Sequence, residues 1–198
     1  MYLFELIGRI WFGCRFPEAA ELRTVSWLEI EGKIRTRILT PNTSYSAYLI
    51  MNVSHRAYGL DFAPSEVSVT VGKNVRRGKA YLGHKDENKR KMETLFYGNR
   101  TEVLRNAAFD EGIASPSKRE DGWMEIELGE FFNGEGDEEI KMCLREVGYQ
   151  LKGGLVLEGI QLRPKPWYQP RSDVNTFFYL AHNFIICDKL QIYIKKMC

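Results

Sequence analysis

Metal and nucleophile chemistry have little to work with in this chain of 198 residues, which holds three histidines and four cysteines. His55, His84 and His182 stand far apart, and Cys14, Cys143, Cys187 and Cys198 form no C-x-x-C pair. Neither a structural zinc site nor a disulfide framework is therefore indicated, and a reducing compartment fits. There is no H-E-x-x-H and no G-x-S-x-G, so the usual metalloprotease and serine-hydrolase arrangements are missing. Gly134-Glu135-Gly136 lacks the third glycine of a dinucleotide loop and precedes no helical pattern. The acidic stretch Glu135, Asp137, Glu138, Glu139 lacks calcium-loop spacing and reads as a solvated turn. Net charge is equally sparse. With 28 basic against 26 acidic side chains the formal charge is +2, too near neutrality for a phosphate-neutralising surface, so no nucleic-acid partner is expected. The longest apolar run, Phe177 to Cys187, is broken by His182 and Asn183 and is too short to cross a bilayer. The opening segment has no basic n-region and carries Glu5 and Arg9, so neither a secretion signal nor a membrane partner is expected. No cofactor is called for, and an enzyme is not the expected class.

What the chain does have is apolar and aromatic content, 44% and 13%, arranged with period two, as in strands that keep one face dry. Val67, Val69 and Val71 alternate with Glu66, Ser68 and Thr70; Met124, Ile126 and Leu128 alternate with Trp123, Glu125 and Glu127. Ile140, Met142 and Leu144 repeat the pattern, and after a glycine-containing turn Leu155 to Arg163 forms another run that is expected to pair with or neighbour it. Thr24 to Ile34 and Tyr45 to Val53 are β-branched and aromatic, separated by the turn residues Thr40-Pro41-Asn42. Helix is expected only at Pro17 to Leu22, with proline at its first position, and at Thr101 to Phe109. The pattern predicts an all-β protein, a sandwich or jelly roll with a few short helices. Lys73 to Asp121 is dense in charge and reads as a long connection with little core. Its clusters Arg76-Arg77 and Lys89-Arg90-Lys91 fit a hydrated loop at least as well as an import signal or anion contact. Composition changes again after Arg163-Pro164-Lys165, which places the domain at 1–165 and a tail at 166–198. Of the four tryptophans, Trp27 and Trp123 fall in strands and are expected to pack, whereas Trp11 and Trp167 lie outside them.

Two blocks make the chain specific. Ala20-Glu21-Leu22-Arg23-Thr24-Val25-Ser26-Trp27-Leu28-Glu29-Ile30-Glu31-Gly32-Lys33-Ile34, continuing to Thr43-Ser44-Tyr45-Ser46-Ala47-Tyr48-Leu49, resembles the first block of the Nictaba-like phloem lectins of plants. Arg119-Glu120-Asp121-Gly122-Trp123-Met124-Glu125-Ile126-Glu127-Leu128-Gly129-Glu130-Phe131-Phe132-Asn133, Glu139 to Val147, and Lys152-Gly153-Gly154 to Pro164 are similar to its C-terminal half. The resemblance covers roughly Arg15 to Lys165 around a variable middle. It implies a jelly-roll-like β-sandwich that binds N-acetylglucosamine oligomers or N-glycan cores without a metal, in the cytoplasm and nucleus and often as a homodimer. It also implies sugar-facing carboxylates at Glu139 and Glu146, which suit the task because ionised acceptors take short hydrogen bonds from hydroxyl and acetamide donors. Seven positions put these two on opposite faces of a regular strand, so one site can use both only if a bulge or strand end intervenes. The family's stacking tryptophan lies upstream of the Ala-Glu-Leu motif, at or before the start of this chain in a gap-free alignment. Trp11 does not match its spacing and stands as a substitute. The expectation is an N-terminally shortened lectin domain without the F-box that opens many relatives, followed by a non-family tail. The alternative is a sugar-blind protein-interaction domain on a lectin-derived scaffold, linked to F-box ubiquitin ligase relatives.

Overall fold

The structure is a computed structural model that describes residues 4–8, 18–83, 113–165, 185–187 and 190–195. Eleven strands run through these residues: β1 (Phe4–Gly8), β2 (Glu18–Leu22), β3 (Val25–Arg35), β4 (Thr43–Tyr58), β5 (Ser65–Val71), β6 (Asn74–Ala80), β7 (Ser117–Lys118), β8 (Met124–Asn133), β9 (Glu139–Pro164), β10 (Ile185–Cys187) and β11 (Leu190–Lys195). The only helical element among the described residues is a 3₁₀ turn at Thr36–Ile38. All strand pairs are antiparallel, and β9 belongs to two layers at once. Its first half lies between β3 and β5, with β11 outside β3 and β6 outside β5. Its second half lies between β4 on one side and β2 and β10 on the other, with β1, β8 and β7 extending the layer. The expected all-β fold is thus found, as a curled antiparallel sheet.

Alternation accounts for the core. Ile140, Met142 and Leu144 of β9 face inward with Leu28 and Ile30 of β3 and Val67, Val69 and Val71 of β5. Against them pack Ala47, Leu49 and Met51 of β4, Ile126 and Leu128 of β8, and Leu155, Leu157, Ile160 and Leu162 of β9, all essentially without solvent contact. Gly129 leaves room for Val69 of the facing layer: a Cβ there would sit 3.2 Å from Val69 Cγ2. Tyr45 stacks on Phe131 with ring centroids 5.8 Å apart. The turn before β4 carries Asn42 at φ 53, a left-handed conformation that asparagine tolerates.

Three expectations need correction. Residues of the expected helix from Pro17 to Leu22 form β2 instead, because Ala20 and Glu21 pair with Leu157 and Val156 while β1 takes the other edge. Tertiary pairing here overrides the helix preference of Glu-Ala-Ala-Glu-Leu. The runs at Glu139–Leu144 and Leu155–Arg163 are one continuous strand whose halves lie in different layers, so they do not pair. Gly153 and Gly154 bend the strand rather than reverse it: Gly154 has φ +76, and a Cβ on Gly153 would lie 2.2 Å from the Arg23 carbonyl oxygen. The stretch read as a loop from Lys73 holds β6, an edge strand whose Arg76, Arg77 and Lys79 are exposed, and then the buried Ala80, Tyr81 and Leu82. Charged side chains suit a strand at a sheet edge. The helix expected at Thr101–Phe109 lies outside the described residues.

Candidate functional site

The ladder between β5 and β9 runs from Val71↔Ile140 to Glu66↔Arg145 and goes no further. Beyond that pair the two chains splay and leave an open cleft of about 630 Å³. Its walls are Phe62, Ala63, Pro64 and Glu66 on one side and Arg145 through Gln150 on the other. Local geometry holds both walls. Gly59, at φ +70, lets the incoming chain approach β9 so closely that a Cβ would sit 2.1 Å from the Leu151 carbonyl oxygen. Leu60 anchors the loop in the core, and its carbonyl accepts a hydrogen bond from the Gly83 N–H at 3.0 Å. On the β9 side, Lys152 is fully buried and its Nζ donates to the carbonyls of Ser26 and Gln150, at 2.7 and 3.1 Å.

Glu146 lies in the cleft wall yet is only 5% exposed. Its Oε1 is paired with Lys152 Nζ at 3.2 Å, while its Oε2 is buried without a hydrogen-bond partner among the described residues. Burial pushes the Glu146 carboxyl above the ordinary carboxylate range, and the Lys152 ammonium offsets only part of that effect. The Ser65 hydroxyl near it favours the charged form, yet neither it nor Glu146 Oε2 has a well-formed hydrogen bond among the described residues. A buried acceptor with a vacant lone pair is costly to keep, and it is suited to a ligand that brings a donor.

The sequence-predicted residues are not brought together. Glu139 is exposed on the outer face of β9, and the register from Glu139 to Val147 against β3 has no bulge, so Glu146 faces the other way, roughly 23 Å along the strand. Trp11 lies outside the described residues. Trp123 is buried, and Trp27 lies on the outer face beneath the Arg145 guanidinium, 5.2 Å from the ring centre, so both pack as expected. Phe62, Tyr149 and Lys152 were not singled out from the sequence. For Lys152 a signal existed, because it opens the Lys-Gly-Gly block that carries part of the resemblance; the two aromatics have no local signature.

Two further charged groups are satisfied internally. On the outer face of the layer holding β4 and β8, Glu125 binds Arg163 and Arg119, whose guanidiniums share Gln161 Oε1 at 2.8 and 2.9 Å. Arg163 also lies over the Tyr48 ring at 4.3 Å. Burial alone would raise the Glu125 carboxyl, but Arg163 and Arg119 outweigh it and hold it below the usual range. On the other layer, burial likewise opposes ionisation of Glu31, and Lys141 and Lys33 overcome it. Neighbouring Cys143 is buried, and burial pushes its thiol up to about 11, which removes thiolate reactivity near neutral pH. No group of three or more histidine, cysteine or carboxylate side chains able to hold a metal is found among the described residues.

Comparison with known proteins agrees with the two sequence blocks. The phloem protein 2 family model, PP2, matches residues 11–164. Among similar proteins of Arabidopsis thaliana, F-box protein PP2-B15 is 51% identical over 162 residues, covering 77% of this chain and 55% of the relative. F-box protein PP2-B13 is 53% identical over 160 residues, with 77% and 56% covered, and F-box protein VBF is 52% identical over 158 residues, with 76% and 56% covered. The chain therefore spans about half the length of these relatives. With the family model matched across most of its length and the all-β architecture in agreement, the chain belongs to the phloem protein 2 family.

Proposed function

We propose that this domain is a non-catalytic saccharide-binding module, a lectin for N-acetylglucosamine-containing oligosaccharides or N-glycan cores, that uses the cleft between β5 and β9. The observation that carries the reading is the Glu146 carboxylate in the cleft wall, nine-tenths buried, with one oxygen unpartnered. A hydroxyl or acetamide N–H would complete its hydrogen bonding, and Lys152 already holds the other oxygen in place. Glu66, Arg145 and Gln150 supply further polar groups around the opening. A shallow, wet site of this kind binds with a dissociation constant on the order of micromolar to millimolar, raised by avidity if the protein dimerises. The cytoplasm and nucleus are the compartments this reading implies.

Calorimetric titration with chitotriose and with an N-glycan core tests it. Saturable binding that weakens about tenfold in Glu146→Gln supports the reading, since one charge-assisted hydrogen bond is of that order. No saturable binding up to millimolar sugar overturns it. The alternative, a sugar-blind protein-interaction domain, draws on the F-box proteins among the relatives. Capture of partners from plant extract before and after glycan removal separates the two, because retention after removal favours protein contact.

A further inference from the structure

Phe62 is 71% exposed and Tyr149 is 87% exposed, and both line the same cleft. Phe62 precedes Glu66 by four residues and Tyr149 follows Arg145 by four, so they stand on the two different walls that part beyond the last ladder pair, Glu66↔Arg145. Val147 and Leu151, 51% and 53% exposed, continue the apolar surface along β9. A single exposed apolar side chain needs no explanation, but two exposed aromatic side chains lining one cleft, with a buried and unsatisfied carboxylate in its wall, form a site with an apolar rim and a polar wall.

We infer that Phe62 and Tyr149 are the stacking platform of the saccharide site, one ring on each lip of the cleft, and that they select a gluco-configured pyranose. This rests on the saccharide reading above and adds to it the residues and the stereochemistry. A pyranose ring with all its hydroxyls equatorial exposes C–H groups on both faces, so each face can lie against an aromatic ring while the rim of the sugar meets Glu146, Glu66, Arg145 and Gln150. An axial hydroxyl, as in galacto- or manno-configured sugars, places oxygen on one face and disfavours that contact. Flat side chains with few rotatable bonds make such contacts at small entropic cost.

The test is titration of the full chain with chitotriose, using Phe62→Ala, Tyr149→Ala and Tyr149→Phe, with thermal melts to show that folding is retained at these exposed positions. Each alanine substitution is expected to weaken binding about tenfold, and Tyr149→Phe to recover most of what Tyr149→Ala loses. In proton NMR, the sugar C–H signals should move upfield on binding to the wild type, and that ring-current shift should shrink in the alanine variants. N-acetylgalactosamine should compete at least tenfold more weakly than N-acetylglucosamine. Wild-type binding that both alanine variants retain within about twofold, with unchanged ring-current shifts, overturns the platform and leaves the saccharide reading standing. Absence of wild-type binding overturns both. Sedimentation without sugar covers a second copy as occupant: a dimer abolished by the same alanine substitutions would overturn a saccharide as the ligand of this surface.

Discussion

Replacing Lys152 with methionine keeps most of the buried stem and removes the ammonium. Three acceptors lose their donor: the Ser26 carbonyl, the Gln150 carbonyl and Glu146 Oε1, at 2.7, 3.1 and 3.2 Å in the intact protein. Because Lys152 is fully buried and Glu146 is 5% exposed, water cannot readily take its place. Removing one partner of such a pair strands a buried charge and costs about 3–5 kcal/mol. In urea unfolding, with a slope of roughly 2–3 kcal/mol/M for a chain of this size, the midpoint should fall by about 1–2 M. Lys152→Met combined with Glu146→Leu, which removes the stranded carboxylate as well, should recover more than half of that loss. The pH dependence has a definite sign. Glu146 has a folded-state value above its ordinary 4.5 through burial, and losing Lys152 raises it further. Between 4.5 and that raised value the folded protein binds more protons than the unfolded chain, so stability increases as pH falls through this window. The deficit of Lys152→Met should therefore be largest at neutral and higher pH and contract toward pH 5. A cost below about 1 kcal/mol at neutral pH, or a deficit that grows on acidification, would refute the account of a stranded charge.

Other changes have separate expectations. Gly153→Ala should cost about 3 kcal/mol or more, read as a lost or strongly lowered thermal transition, because its Cβ would meet the Arg23 carbonyl oxygen at 2.2 Å where β9 changes layers. Glu125 and Glu31 have folded values below 4.5, so the stability they supply is present above 4.5 and lost as pH falls through the lowered values; Glu125→Gln should flatten that acid loss in a series of urea titrations, and cost about 1.5–3 kcal/mol at neutral pH. Ending the chain at Lys165 removes β11 from the edge of β3 at Trp27–Gly32 and β10 from β9 at Ile160–Leu162. Exposed edges pair with other chains, so light scattering should show concentration-dependent association that the full chain lacks.

Much of the fold could be read locally. Residues such as Val67-Ser68-Val69-Thr70-Val71 and Ile140-Lys141-Met142 declare a half-buried strand because side chains alternate faces with period two, whatever the neighbour turns out to be. The two blocks Ala20–Ile34 and Arg119–Asn133 likewise revealed the family in the chain itself. The same alternation correctly warned that Glu139 and Glu146 face opposite ways. It could not show that Glu18–Leu22 is recruited as a strand between β1 and β9, nor that Gly153-Gly154 carries one strand from one layer into the other, since both depend on partners distant in sequence.

The candidate site belongs to that second kind of information. Residue order alone determined an all-strand domain, its place in the phloem protein 2 family and a carboxylate at position 146. Only tertiary structure decided that β5 and β9 part beyond Glu66 and Arg145, that Phe62 from one chain segment and Tyr149 from another line the same cleft, and that Lys152 returns beneath Glu146. The physical reason is range: side-chain alternation is set by the backbone within a few residues, whereas burial, ion pairing and the shape of a cleft are properties of segments brought together from far along the chain.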